Sequence, residues 1–230
     1  MYELYIGNKN YSSWSLRPWV LMRAQSIPFS ERLMQFAPGS SWSKFRSFAP
    51  NGRVPCLHDG KTVVWDSLAI AEYLAERHPG VWPVDATMRA WARSAASEMH
   101  SSFQELRNRC GMSCGLRVQL NEISVGLRAD VGRIEELWTE GLARFGGPFL
   151  AGARFSAADA FFAPVVFRVQ TYGLPLNASA RRYADHMLAL PAMREWYAAA
   201  IAESWREPGH EAEVAAEGTI TADLRAKPVG

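Results

Sequence analysis

The hydrophobic periodicity of the chain changes near residue 80, which restricts it to folds built from two unlike parts. Before that point, short runs of β-forming residues alternate with segments of helical spacing, and Asp59-Gly60 is a strong hairpin signal. The strands and helices predicted there are, in chain order, Tyr2–Ile6, Trp19–Gln25, Phe29–Phe36, Val54–His58, Thr62–Trp65 and Ser67–Arg77. This order predicts an α/β domain over residues 1–78, a small sheet with helices packed on it.

The remainder of the chain has little strand signal and is dominated by helical patterns. Pro79, Gly80 and Pro83 predict a linker over residues 79–86. The helices predicted beyond it are Thr87–Cys110, Val118–Phe145, Ser156–Thr171, Ala180–Leu188 and Ala192–Ser204. We therefore expect an all-helical domain over residues 87–205. Proline and glycine recur after it, so we expect an irregular C-terminal tail over residues 206–230.

Composition and charge narrow the class of protein. The 230 residues are 48% hydrophobic and 21% charged, which is typical of a soluble globular chain. The formal net charge of +2 is too small to indicate a nucleic-acid partner. The opening residues lack a signal-peptide pattern, and no run approaches the roughly 18 apolar residues of a membrane span. We expect a cytoplasmic protein with neither a membrane nor a nucleic-acid partner.

Cysteine and histidine usage gives two further expectations. Three cysteines are too few for a disulfide framework and suit a reducing compartment. The five histidines are isolated, and no cysteine pair has metal-ligand spacing, so no metal site is expected.

The loop that joins the first strand to the first helix is rich in hydroxyl groups. Ser12, Ser13 and Ser15 lie where the helix begins, because Pro18 costs no backbone hydrogen bond only in the first turn. Free backbone N–H groups and the positive end of the helix dipole stabilise an anion there, such as a thiolate. Ordinary serine capping of the helix is the more frequent use of such residues.

The segment Arg53-Val54-Pro55 precedes the predicted hairpin. A proline at the start of a strand cannot donate to the ladder, so it indicates a sheet edge or a cis bond in a tight turn. With a cis bond, the backbone of Val54 would be free to pair with an extended peptide ligand. The alternative is that Pro55 is simply the first residue of the strand.

Two further short motifs stand where helices are predicted to begin. Asp66-Ser67 begins the helix after the hairpin, where its N–H and hydroxyl can bind a carboxylate and Asp66 can pair with an ammonium group. An N-cap pair is the plainer interpretation. The second motif, Ser156 with Asp159, is a capping box to which we assign a structural role only.

In this order and spacing the motifs resemble the glutathione transferase family over about residues 1–205. The resemblance implies a thioredoxin-like N-terminal domain, an all-helical C-terminal domain and a homodimer. It also implies that glutathione is a co-substrate whose thiol attacks a small electrophile held between the domains.

The loop Ser12–Arg17 is similar to the Ser-Ser-Cys-Ser-Trp-Arg signature of the zeta class, the maleylacetoacetate isomerases. This similarity implies that Ser12 hydrogen-bonds the glutathione sulfur, with Ser13 taking that place if the register shifts by one. It makes the cysteine-type branch of the family an unfavourable interpretation, since Trp14 replaces the signature cysteine.

The other motifs receive their roles from the same resemblance. Val54 and a cis Pro55 would hold the cysteinyl backbone, while Asp66 and Ser67 would bind the γ-glutamyl group. Arg53 stands where the family has a glutamine, and an arginine there can pair with the glycyl carboxylate.

The substrate pocket departs from the zeta pattern. Trp14 narrows its mouth, and Thr171 stands where the zeta class has a carboxylate-binding arginine, with Arg168 nearly one helical turn away. We expect an apolar pocket whose candidate residues are Met99, Phe103, Leu106 and the stretch Phe167–Tyr172. The resemblance then favours glutathione transfer or peroxide reduction over isomerisation. Maleylacetoacetate isomerase activity and a non-catalytic binding module remain the alternatives.

Overall fold

A four-stranded sheet forms the centre of the N-terminal part in the computed structural model, which describes residues 1–228 of the chain. Its strands are β1 (Tyr2–Ile6), β2 (Phe29–Leu33), β3 (Cys56–Asp59) and β4 (Thr62–Trp65). Their order is β2-β1-β3-β4, with β2 parallel to β1 and the other pairs antiparallel. Leu4, Ile6 and Leu57 point to one face and are fully buried, so that face is the core face.

Three helices complete this domain: α1 (Ser13–Ala24), α2 (Trp42–Phe45) and α3 (Ser67–Ala75). Helix α1 makes the crossover that allows β1 and β2 to be parallel. Nine of its twelve residues are buried, because it packs against α3 on one side and the helical domain on another. The predicted thioredoxin-like domain is confirmed, although β2 ends three residues earlier than Phe36.

The helical domain contains α4 (Ala86–Ser101), α5 (Gln104–Arg109), α6 (Val125–Phe145), α7 (Ala157–Tyr172), α8 (Ala178–Ala189) and α9 (Pro191–Ala202). Helix α7 is buried along almost its whole length and is the axis of the domain. Its capping box is formed as predicted, since the Asp159 carboxylate accepts the Ser156 N–H at 2.9 Å. The predicted helical C-terminal domain is thus confirmed, although it also contains a short strand.

The predicted bounds of two helices differ from those in the structure. The helix expected over Thr87–Cys110 is two helices, broken at Phe103, which adopts a left-handed φ of 64°. The helix expected over Val118–Phe145 begins only at Val125, because Leu116–Leu120 is strand β5. Apolar and polar residues alternate there with a period of two, which fits a strand.

The expected irregular tail is also wrong over most of its length. Residues Pro208–Glu217 form helix α10, and Gly218–Asp223 form strand β6, antiparallel to β5. Pro208 occupies the first turn, and the Glu207 side chain caps it by accepting the His210 N–H at 2.8 Å. The last two residues of the predicted tail, 229 and 230, lie outside the described residues.

Glycine and an ion-pair cluster explain why this segment is ordered. A Cβ at Gly218 would lie 2.3 Å from the Gln119 carbonyl oxygen, so only glycine allows the two strands this approach. The nearly buried Arg225 guanidinium binds Glu211 at 2.6 Å and Asp223 at 2.8 Å. Within residues 1–228, no helix has both the length and the apolar character that crossing a bilayer requires.

Candidate functional site

Two cavities meet at the N-terminus of α1, between the two domains. The larger has a volume of about 910 Å³ and the smaller about 170 Å³. Trp14, Arg53 and Val54 line both cavities and form their common wall. The larger cavity also contains Ser12 and Ser13, and the smaller contains Asp66 and Ser67.

The hydroxyl of Ser12 does not cap α1, although Ser12 occupies the N-cap position. Its Oγ lies 2.7 Å from the Oγ of Ser15, which in turn accepts the Gly7 N–H at 3.1 Å. Within residues 1–228, the N–H groups of Trp14 and Ser15 have no hydrogen-bond acceptor. The start of the helix therefore presents two free donors and an oriented hydroxyl, an arrangement that stabilises an anion.

The smaller cavity contains the other predicted binding residues. The Val54–Pro55 bond is cis, and the backbone of Val54 makes no hydrogen bond with any described residue. Asp66 caps α3 through Oδ1, which accepts the Leu68 N–H at 2.8 Å, so its capping interpretation is correct. Its Oδ2 lies 3.4 Å from Nε2 of His100, and Asp66 is part of the wall of the smaller cavity.

Arg17 lines neither cavity but contacts Trp14 and Ser67, which do, and sequence analysis left it without a role. Its side chain is fully buried, stacks on Trp14 at 4.1 Å, and donates to the Oγ of Ser67 at 3.4 Å. Its Nε has no hydrogen-bond partner in the structure. Burial holds the pKa of the Arg17 guanidinium well below its ordinary value, and the neighbouring Arg107 and Arg168 lower it further.

Arg168 and Arg107 add positive charge to the larger cavity, which both of them line. Nε of Arg168 donates to the Cys110 carbonyl at 2.7 Å, and burial lowers its pKa to about 10. Arg107 stacks on the opposite side of the site, 4.8 Å from the ring of Trp14. Among residues 1–228, none of the three arginines has a carboxylate within salt-bridge distance.

Three residues that were expected to line an apolar pocket do not line the larger cavity. Phe103 is buried in the core and does not line the larger cavity, because the chain reverses at its left-handed backbone. Met99 and Leu106 are likewise fully buried. Thr171 bonds the Ser113 carbonyl at 2.7 Å instead of facing the cavity, so of the two positions considered only Arg168 reaches it.

Sequence analysis missed one whole wall of the larger cavity. The first residues of α10 form it, with His210 and Glu207 prominent among them. Pro208 and Gly209 were interpreted as signs of an irregular segment. Both residues are compatible with the first turn of a helix, and they occupy that turn in α10. Among the described residues, no group of three or more histidine, cysteine or acidic side chains is arranged to hold a metal ion.

Two protein-family models match most of the chain. The model of the glutathione S-transferase N-terminal domain matches residues 11–77, and that of the C-terminal domain matches residues 89–199. A probable maleylacetoacetate isomerase of Caenorhabditis elegans is 25% identical over 76% of this chain and 81% of its own. A zeta class glutathione S-transferase of Euphorbia esula is 27% identical over 67% of this chain and 71% of its own.

Solved structures show the same fold. A glutathione transferase homolog from Burkholderia with bound glutathione superimposes with a TM-score of 0.64 at 22% identity, covering 85% of this chain and 95% of its own. A glutathione transferase from Methylococcus capsulatus gives 0.65 at 23% identity, covering 87% and 98%. The two matched domains span more than half of the sequence. The chain belongs to the glutathione S-transferase family, whose members are enzymes.

Proposed function

We propose that this enzyme binds glutathione across the two cavities, activates its thiol with Ser12 and transfers it to a small electrophile. The positive charge of Arg17, which has no carboxylate partner and donates to the Ser67 hydroxyl, carries the proposal, and the unpaired Arg107 and Arg168 in the wall of the larger cavity support it. Buried cations without a carboxylate are costly, and an anionic ligand removes that cost. Glutathione supplies two carboxylates and, after activation, a thiolate.

The smaller cavity suits the γ-glutamyl end of the peptide. Ser67 offers its hydroxyl and a helix N-terminal N–H to the carboxylate, and Asp66 offers its Oδ2 to the ammonium group. The unpaired backbone of Val54 pairs with the cysteinyl residue, next to the cis Pro55. Arg53, which is exposed at the junction of the cavities, pairs with the glycyl carboxylate.

This binding mode brings the sulfur to the N-terminus of α1. In the structure the Ser12 hydroxyl donates to the Oγ of Ser15, which also accepts the Gly7 N–H. When glutathione binds, the Ser12 hydroxyl turns to donate to the thiolate instead. Hydrogen bonds to the charged form and the helix dipole both lower a thiol pKa, whose ordinary value is about 8.5. Ser13, which also lines the cavity, is the alternative donor.

Glutathione-dependent isomerisation of a carboxylate substrate is the second candidate. Arg168 and Arg107 place two cations in the wall of the larger cavity beside aromatic residues such as Trp14, which favours an electrophile that carries a carboxylate. The relative in Caenorhabditis elegans carries the name of such an isomerase. Steady-state assays of thiol transfer, peroxide reduction and maleylacetoacetate isomerisation on one preparation separate the candidates. An isomerase kcat/KM well above the other two would replace the transferase proposal.

The proposed assembly is a homodimer, as the family resemblance implies. Sedimentation at micromolar concentration should give about twice the 25.7 kDa of one chain. A single species of one chain's mass would contradict it.

A further inference from the structure

His210 lines the larger cavity, and two aromatic rings stack on its imidazole. The ring of Tyr11 stacks at 4.9 Å and that of Phe36 at 5.3 Å. Both stacks are close to parallel, at 27° and 24°. The plane of the imidazole is therefore fixed by two aromatic contacts.

One edge of the imidazole is held by a buried carboxylate. Nδ1 of His210 lies 2.7 Å from Oε2 of Glu207, whose side chain is only 8% exposed. Burial raises the pKa of that carboxyl, but hydrogen bonds from His210 and Gly209 outweigh it and leave the pKa below its ordinary value. An ionised carboxylate can only accept, so Nδ1 carries the proton and Nε2 has the free lone pair.

The imidazole of His210 is part of the wall of the larger cavity. The His210 side chain is 37% exposed and lines the larger cavity, as Ser12 does. The same segment is fixed to the Ser12 loop, since the Tyr11 hydroxyl donates to Glu211 at 2.6 Å. Tyr11 thus joins the imidazole to the residue that precedes Ser12. A carboxylate-oriented histidine with a free Nε2 is the arrangement of an acid–base group.

We propose that His210 is a catalytic acid–base residue that carries a proton to the electrophile when glutathione adds across a polarised double bond. This inference rests on the proposed function and names its substrate class, α,β-unsaturated carbonyl compounds. No other assigned residue of the cavity supplies a proton to the substrate: Ser12 is committed to the sulfur.

The proton balance of the reaction is simple. The thiol proton passes to water as the thiolate forms, and Nε2 takes up a proton from water, with Glu207 stabilising the imidazolium. The sulfur then forms a bond to the β-carbon while the π-electron pair moves toward the carbonyl. Nε2 delivers its proton to the α-carbon, so hydrogen and sulfur have added across the double bond and nothing is oxidised. Substitution on an aryl halide differs because halide leaves and no proton has to be delivered to the substrate.

The two reactions together test the proposal. The kcat/KM for an α,β-unsaturated ketone and that for chlorodinitrobenzene are measured with the unaltered protein, His210→Phe and His210→Gln. Phenylalanine keeps the aromatic stack and glutamine keeps a donor for Glu207, but neither carries a proton. Ala215→Gln, at an exposed position of α10 away from the cavity, is the control.

Both His210 variants should lose about a hundredfold in the addition reaction, the usual size of an acid–base contribution. They should keep the substitution reaction within about threefold, and the control should keep both. An equal loss in the two reactions would show that His210 only packs α10 in place, and unchanged addition would also overturn the proposal. Calorimetry that finds no glutathione binding in the unaltered protein would instead refute the proposed function.

Discussion

Replacing Ser12 with alanine removes one hydrogen bond to the proposed thiolate and leaves the rest of the site intact. A hydrogen bond to a charged group contributes about 1.5–3 kcal/mol, and each pKa unit corresponds to about 1.4 kcal/mol. The pKa of the bound thiol should therefore rise by about one to two units. Binding of the protonated form should change little, because Asp66, Ser67 and Val54 provide the anchors.

The direction of the pH dependence follows from that shift. A raised thiol pKa means less thiolate at neutral pH, so the rate there falls about tenfold for each unit. The ascending limb of the pH–rate profile should move to higher pH by the same amount. Ultraviolet absorbance of the bound thiolate, titrated from acid to alkaline pH, measures the shift directly.

Two neighbouring variants serve as controls for Ser12→Ala. Ser15→Ala removes the group that orients the Ser12 hydroxyl, and we expect a smaller rise of the thiol pKa than Ser12→Ala gives. Ser13→Ala should leave the thiol pKa near that of the unaltered protein. If Ser13→Ala gives the largest of the three shifts, the assignment of the sulfur to Ser12 is wrong.

Three further predictions concern binding and stability. Ser67→Ala should weaken glutathione binding by about 1–3 kcal/mol through loss of a charge-assisted hydrogen bond; unchanged affinity in calorimetry would remove Ser67 from the site. Asp159→Ala should lower the free energy of unfolding by about 3 kcal/mol or more, since four buried donors lose their acceptor; urea denaturation with a loss below about 1 kcal/mol would contradict this. Arg225 and Tyr11 bind Glu211, and these bonds outweigh burial and lower its pKa below the ordinary 4.5. Their contribution to stability is present above that value and is lost as pH falls through the lowered pKa. The protection factors of the α10 amides, corrected for the pH dependence of intrinsic exchange, should therefore fall below about pH 4; equal protection factors at neutral and acid pH would refute it.

The two-domain fold could be predicted because each of its signals is local. The hairpin at Asp59-Gly60 and the capping box at Ser156 are settled by residues a few positions apart. The β5–β6 pair could not be found in this way, because Val118 pairs with Ile220, about a hundred residues later. Because its partner strand is so distant in sequence, the short alternating run Leu116–Leu120 was in part assigned to the helix that follows it.

The site shows the same division. The residues placed at the start of α1 and α3 could be found from loop and helix-start patterns, and the structure brings Ser12 and Ser67 to adjoining cavities. Arg17 and Arg107 could not be assigned, since the sequence separates them by ninety positions and only packing around Trp14 joins them. Phe103 was misassigned because a single left-handed residue turns the chain away from the cavity.

A crystal structure of the protein with bound glutathione tests the central claim most directly. The account predicts the γ-glutamyl group against Asp66 and Ser67, the cysteinyl backbone paired with Val54, and the sulfur within hydrogen-bond distance of the Ser12 Oγ. Glutathione bound outside these two cavities, or with its sulfur away from the N-terminus of α1, would contradict it.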